Sequence, residues 1–468
     1  MIRSLVPADR GQLVALFERM GPLSLRHRYC GAKQRLSDPE LDLLTSPDGI
    51  GHVGLAAVSR GRLLGAGRYI RDDADAAEVA FDVGDSDQGR GIGTLLLERL
   101  VHIAQCAGVR RFRALVEADN SDMLAVFDNS GFAVRELLEG GQYEVEFEIA
   151  DTDRFIAATT ERERQATARS LRTFFAPSSV AVVGASRTPH TIGRAILDNL
   201  IRDGYQGPIY PVNPNVNELA GRRCYPSIAS VGMPVDLAII AVPAHLVRGV
   251  VEECAAACVR GIVVISSGFA EAGRAAMERD LRTLVREAGM RMVGPNCLGV
   301  LSTSPDVSIN ATFSPTFPLR GNVSLASQSG ALGLTMLDFS RELHLGIADF
   351  VSLGNKADVS VNDLLSYWHG EPRTGVIALY LESFGNPRTF ARLAPQVARD
   401  RPIVAVKSGR STAGTRAACS HSASLACLDI GIDALFAQTG VIRTDTIEQL
   451  FDVVSLLSSQ PVPAGPRV

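Results

Sequence analysis

The segment Asp87-Gln88-Gly89-Arg90-Gly91-Ile92-Gly93-Thr94 sets glycine at every second position between an apolar run and a long amphipathic stretch. Glycines spaced this way allow a tight turn that exposes consecutive N–H groups, and a helix starting there adds its positive end. Such a turn holds a pyrophosphate by amides rather than by side chains. A second turn, VAVVGASRTPHTIG at 180–193, also joins an apolar run to a helical one. It is not G-x-G-x-x-G, and the next apolar run ends IYPVNPN with no carboxylate to hold a ribose, so no NAD site is expected. Cys254 and Cys258 lie four apart on a helical stretch, with no second pair or nearby His to complete a metal site. They read as buried small hydrophobes, and no metal is expected in this chain.

The elements that must carry these residues follow from the hydrophobic pattern. The chain has 468 residues, which predicts about three domains. Its 46% hydrophobic and 21% charged content excludes global disorder and a disulfide scaffold, and eight cysteines fit reduced thiols. A net charge of −4 argues against nucleic-acid binding. No apolar run reaches the ~20 residues of a membrane span and no signal peptide is read at the start, so a cytoplasmic protein off the membrane is expected. Only Lys33, Lys356 and Lys407 of the 47 basic residues are lysines, a bias of composition rather than of design.

Residues 1–150 alternate strands and helices. HVGLAAVS and LGAGRYI predict a hairpin, AEVAFDVG a strand, TLLLERLVHIAQCAG a helix, RFRALVE a strand, SDMLAVFDNSG a helix stopped by Gly131, and GQYEVEFEI a last strand. Residues 151–172 are polar and helix-prone, which predicts a helical linker. From 173 to 302, short continuous apolar runs at intervals of about 30 residues alternate with helices, the pattern of a parallel doubly wound sheet. A Pro-bearing connector at 303–319 precedes a second such series at 320–457, and 458–468 form a tail. The predicted architecture is an α+β domain followed by two α/β parallel-sheet domains.

The Gly-rich turn is followed by a helix, a strand and N-x-x-M-L-x-x-F-x-x-x-G-F from Asn120 to Phe132. Together these resemble the GNAT acyltransferase family over nearly all of 1–150, and SLRHRYCG at 24–31 is similar to the segment before the core in bacterial protein acetyltransferases of that family. The resemblance implies acetyl-CoA held by the amides of Gln88, Gly89, Arg90, Gly91, Ile92, Gly93 and Thr94, with Asn120 nearby and the pantetheine beside AEVAFDV. An amine must lose a proton before it attacks a thioester, which a carboxylate near the acyl carbon can accept. Glu78, ten residues before Gln88, matches the family's base, and Asp82 on the same alternating face is the runner-up.

The second turn resembles the CoA-binding domain of succinyl-CoA synthetase α subunits and NDP-forming acyl-CoA synthetases, together with YPVNP (210–214), AVPA (241–244), SSGFAE (266–271) and GPNCLG (294–299). That resemblance implies a Rossmann-like domain with Gly184, Ser186, Asn213, Pro243 and Asn296 along a second CoA path. It extends through SQSGAL (327–332), SLGNKADV (352–359), LYLES and SHSASLA, which imply a flavodoxin-like domain. Ser327, Ser329 and Gly330 then stand where relatives hold phosphate, and His421 paired with Glu382 where a phosphoryl group is carried. At Ser422-Ala423 and Cys427 the chain departs from the family's run.

Fusions of these two modules resemble bacterial protein lysine acetyltransferases. The expected function is acyl transfer from acetyl-CoA to a protein lysine, with the synthetase-like part sensing CoA. The alternatives are the α-type half of an NDP-forming acyl-CoA synthetase with an ATP-grasp partner in trans, and a non-catalytic CoA sensor. Ligation by this chain alone is not expected, because nothing in it resembles an ATP-grasp domain, and an oligomer is expected.

Overall fold

The computed structural model describes residues 1–29, 31, 33–59, 61–150, 152–408 and 429–461. The chain divides into two compact units, Met1–Glu163 and Arg164–Val468.

The first unit is a seven-stranded sheet with helices on both faces. It runs β1 (Ile2–Ser4), α1 (Arg10–Glu18), α2 (Pro22–Tyr29), α3 (Asp38–Thr45), β2 (His52–Ser59), β3 (Arg62–Arg71), β4 (Ala76–Val83), α4 (Ile92–Cys106), β5 (Arg111–Glu117), α5 (Ser121–Asp128), β6 (Val134–Glu139) and β7 (Gln142–Glu148). The strand order is β1-β2-β3-β4-β5-β7-β6, and only β4 and β5 run parallel. Leu96, Leu97, Leu100, Val101 and Ala104 form the buried stripe of α4 against Val79, Phe112 and Phe147. Each large apolar side chain buried this way stabilises by about 1.5–3 kcal/mol. The opposite face packs on α1 and α3 through Leu13, Leu16, Leu41 and Leu44.

α6 (Asp153–Phe175) is longer than the predicted linker and contributes to both cores. In the first unit Phe155 stacks on Phe132 at 4.3 Å between ring centroids, while Leu171, Phe174 and Phe175 are buried in the second.

The second unit holds two large sheets and a two-stranded hairpin. β8 (Val180–Val183), α7 (Ile192–Arg202), β9 (Ile209–Val212), β12 (Leu237–Ile240), α8 (Ala244–Ala256), β13 (Gly261–Val264), α9 (Ala275–Glu287) and β14 (Arg291–Val293) build a parallel sheet of order β14-β13-β12-β8-β9, and after β9 the strands β10 (Glu218–Leu219) and β11 (Arg222–Arg223) form a separate antiparallel hairpin. Residues on its strands are buried on both faces, which is why they read as continuous apolar runs.

The next sheet begins earlier than the predicted boundary. β15 (Gly299–Ser302) and β16 (Ile309–Thr312) are antiparallel strands of a sheet completed by β17 (Arg320–Ser327), α10 (Gly330–Glu342), β18 (Ile347–Ser352), α11 (Val361–Gly370), β19 (Val376–Leu381), α12 (Pro387–Asp400), β20 (Ile403–Lys407), α13 (Asp429–Thr439), β21 (Ile442–Thr444) and α14 (Ile447–Ser459). Its order is β16-β15-β18-β17-β19-β20-β21. The stretch expected as a connector at 303–319 therefore carries an edge strand, tied to α7 by Asn199 Nδ2 donating to the Thr312 and Ser314 carbonyls at 2.8 and 2.6 Å.

Cys254 is buried as expected, but Cys258 is exposed, since it follows α8 with φ of 60° in a turn. Among the described residues, no helix is long and apolar enough to cross a membrane, and no His, Cys, Asp and Glu cluster could hold a metal.

Candidate active site

β4 and β5 pair only from Ala76↔Arg111 to Glu78↔Arg113. Beyond that point β4 follows β3 and β5 follows β7, so the sheet opens into a fork. Backbone groups lining such a fork share no ladder with each other and can take an extended amide-bearing chain as an added strand.

The Gly-rich turn closes the far end of β4. Gly89 and Gly91 have φ of 69° and 76°, and a Cβ on either would meet nothing within 4 Å, so handedness rather than space requires glycine. Gly91 is the N-cap of α4. Among the described residues, the first helical backbone bond is donated by Leu95 to the Gly91 carbonyl, which leaves the N–H groups of Gly89, Arg90, Gly91, Ile92, Gly93 and Thr94 as free donors.

Two side chains of the turn hold it in shape. Arg90 donates to Asp87 at 2.6 Å, an aspartate that also accepts from Arg62 at 2.9 Å. Gln88 Nε2 donates to Ser24 Oγ at 3.1 Å and the Val83 carbonyl at 3.3 Å. Asn120 caps α5 by accepting from the Met123 N–H at 3.2 Å.

Glu78 stands at the throat of the fork, exposed, with no hydrogen bond or ion pair among the described residues. Asp82 on the same face is buried and committed: it pairs with Arg28 at 3.0 Å and Arg68 at 3.3 Å, and accepts from the Tyr29 hydroxyl at 3.3 Å. Burial and Asp82 push the Tyr29 phenol up, while burial and Arg28 push Arg68 down. Sequence reasoning gave Arg28, Tyr29 and Arg68 no role. The available signals were the segment SLRHRYCG, which carries Arg28 and Tyr29, and a lone arginine in the otherwise apolar run LGAGRYI.

In the second unit, β8 lies between β9 and β12, so the chain order reverses at the C-terminal ends of β8 and β12. Ligands of open α/β sheets bind in such a crevice. Gly184, at φ of 90°, sits so close to β12 that a Cβ would overlap the Ala241 carbonyl, and Gly193 of α7 packs on the Gly184 carbonyl in the same way. Ser186 Oγ accepts from the Thr188 N–H at 3.0 Å. Asn213 donates to the Ala185 carbonyl at 2.6 Å, lashing the ends of β8 and β9 together, and Pro243 is the N-cap of α8. Asn296, after β14, donates to Asn355 Oδ1 at 3.2 Å in the loop after β18, and its N–H donates to the carbonyl of Ser266, whose hydroxyl donates in turn to the Val242 carbonyl beside Pro243 at 2.5 Å.

The third group surrounds the start of α10. Ser329 is its N-cap and accepts from the Leu332 N–H at 3.4 Å, while Ser327 Oγ donates to the Ser329 carbonyl at 2.7 Å, and Gly330 is the first helical residue. Gln328 Oε1 accepts from the N–H groups of Glu382 and Ser383 at 2.7 and 2.9 Å, joining this turn to the end of β19. Lys356, missed by sequence reasoning, donates to Gln328 at 3.2 Å and to the Ser383 hydroxyl. Burial lowers its ammonium to about 8, with Glu382 opposing and Lys407 reinforcing. His421, with Ala423 and Cys427, lies outside the described residues.

Comparison with known proteins matches these three regions separately. Residues 23–132 match the acetyltransferase (GNAT) family, 178–303 the CoA binding domain, and 320–457 the succinyl-CoA ligase like flavodoxin domain. The ADP-forming acetate–CoA ligase of Methanocaldococcus jannaschii is 41% identical over 285 residues, covering 61% of this chain and 40% of that protein. The α subunit of ADP-forming acetate–CoA ligase I from Pyrococcus furiosus is 43% identical over 305 residues, 64% of this chain and 66% of the subunit. Acetyltransferase Pat of Mycolicibacterium smegmatis is 39% identical over 115 residues, 24% of this chain and 34% of Pat. A solved acetyl-coenzyme A synthetase 1 of Ca. Korarchaeum cryptofilum, in complex with phosphate and ADP, superposes with a TM-score of 0.61 at 42% identity, covering 64% of each chain. The chain thus spans between a third and two thirds of the curated relatives named here. It is a fusion of a GNAT-family acetyltransferase domain with the CoA-binding and flavodoxin-like domains of the ADP-forming acyl-CoA ligases.

Proposed function

We propose that this protein is an N-acyltransferase that moves an acetyl or other short acyl group from acyl-CoA to a protein lysine, with residues 173–457 as a CoA-sensing regulatory part. The observation that carries this reading is the unshared carboxylate of Glu78 at the throat of a fork whose far end offers six free amides. Those amides fit a pyrophosphate, and the fork fits the pantetheine that follows it. Glu78 takes one proton of the incoming ammonium, the freed amine attacks the thioester carbonyl, and the C–S bond breaks as the nitrogen's second proton passes to the leaving thiolate. Glu78→Gln in the full chain should lower turnover of acetyl-CoA with a lysine-bearing acceptor by ~10²–10⁴ and leave acetyl-CoA affinity unchanged. Loss of affinity with the same substitution would make Glu78 a structural residue.

A second reading is favoured by the ADP-forming ligases among the relatives. It makes the second unit the α-type half of an acyl-CoA ligase that uses an ATP-grasp partner in trans, with His421 carrying phosphate and Glu382 as its paired carboxylate. Incubation with labelled acetyl phosphate tests it: an acid-labile, base-stable label that His421→Ala abolishes supports this reading, and an unlabelled chain that still binds CoA rejects it.

A further inference from the structure

At the N-terminal ends of β12, β13 and β14, away from the crevice at the opposite end of that sheet, a cleft of about 460 Å³ is lined by Arg169, Arg172, Asp236, Arg260 and Arg291, with Ser170 among its hydroxyls. Strands of four residues separate the two ends by about 13 Å. The cleft's wall is the last turns of α6 and its floor is the residues that precede the three strands.

The charges in the cleft do not balance. Arg291 is satisfied, by Asp358 at 2.8 Å, Asp363 at 2.9 Å and Ser170 at 2.8 Å. Arg172 makes no hydrogen bond or ion pair among the described residues, and Arg169 makes one long bond, at 3.4 Å, to a carbonyl of its own helix. Arg260 reaches Asp236 only at 3.4 Å and keeps 77% of its side chain exposed. Asp236 already accepts from the Ser178 N–H at 2.9 Å and hydroxyl at 2.5 Å. Three guanidinium groups therefore face one shared carboxylate, in a chain whose net charge is −4.

Guanidinium forks match the oxygens of phosphate in pairs, and three of them around a concave site fit more than one phosphate group. A cleft of this volume suits a small molecule rather than a folded partner. We propose that this cleft binds a small polyanion with linked phosphate groups, inorganic pyrophosphate or a nucleoside diphosphate, through Arg169, Arg172 and Arg260, at a site separate from the CoA crevice.

The test is calorimetric titration of the full chain at low salt with inorganic pyrophosphate, ADP and inorganic phosphate, each with and without saturating CoA. With CoA saturating its own two sites, pyrophosphate and ADP should each still bind once per chain, and single phosphate should bind more weakly. Tighter binding of ADP than of pyrophosphate assigns the site to a nucleotide, and equal binding assigns it to the bare phosphate chain. Arg172→Glu combined with Arg260→Glu should weaken both ligands about tenfold or more while acetyl-CoA titration stays as in the parent. The single substitution Arg172→Gln, on an exposed helical face, repeats the test where the double variant does not fold. No saturable binding in the presence of saturating CoA, or unchanged affinity in the folded variants, overturns the proposal.

Discussion

Glu78 and Asp82 share one face of β4 four residues apart, yet one is free and the other neutralises two arginines. Removing the Asp82 charge leaves the largely buried Arg28 and Arg68 facing each other without the carboxylate that pairs with both. Asp82→Asn should therefore cost about 3–5 kcal/mol of stability, as breaking a buried pair does. Glu78→Gln should change stability by less than about 0.5 kcal/mol, as exposed substitutions do. Urea denaturation of the two variants measures both, and similar losses would mean that Glu78 is also structural. The alternation of β4 made both carboxylates legible as one face, but not which of them is committed. That depended on α2, whose arginine and tyrosine reach Asp82 from a part of the chain more than 50 residues earlier.

Lys356 gives a second residue-scale prediction, because burial lowers its ammonium to about 8 from 10.5. Between those values the unfolded chain holds a proton that the folded chain has released, so stability rises with pH there. Below the folded value both states are charged, and the folded one carries a desolvated cation. The stability of Lys356→Met relative to the parent should thus be most favourable near about pH 7 and fall as pH rises toward about 10. Denaturation at both ends of that window reads the slope, and a constant difference would show that this amine does not titrate there.

Among the elements, the apolar runs of the parallel sheet were legible because burial on both faces leaves no alternation to misread. β6 was not, since VRELLE is half charged, does not alternate and is almost wholly exposed, and it is turned back on β7 at Gly140-Gly141. β15 and β16 were read as domain end and connector because four-residue strands beside Pro and Ser carry little signal. The glycine turns were legible in both halves, but their sequences do not say which need glycine for handedness and which for space. Gly193 needs it for space: Gly193→Ala would drive a Cβ into the Gly184 carbonyl at the crevice. That substitution should reduce CoA binding by the second unit and lower its thermal midpoint, while GNAT-domain turnover of acetyl-CoA persists. Calorimetry and an acetylation assay on one preparation separate the two effects.

For the whole molecule, two candidate cofactor sites on two compact units predict a stoichiometry. Titration of the chain with acetyl-CoA should show two independent sites, and NAD should bind neither. The second half of that prediction rests on Asn213, which follows β9 where a ribose-binding carboxylate would stand and is spent on the Ala185 carbonyl. A single site, or competition by NAD, would refute the assignment of the second crevice.

β16 belongs to one sheet by its pairing and to the preceding domain by its bonds to α7. This has a consequence for how such a protein can be inherited. A recombination event that cut between the second and third domains would strip the cover from β18 and leave an unpaired strand edge of the kind that aggregates. It would also orphan the buried Asn199 amide, whose two acceptors lie beyond the cut. The two sheets therefore hold together as one cassette, and the boundary between the two compact units falls within α6.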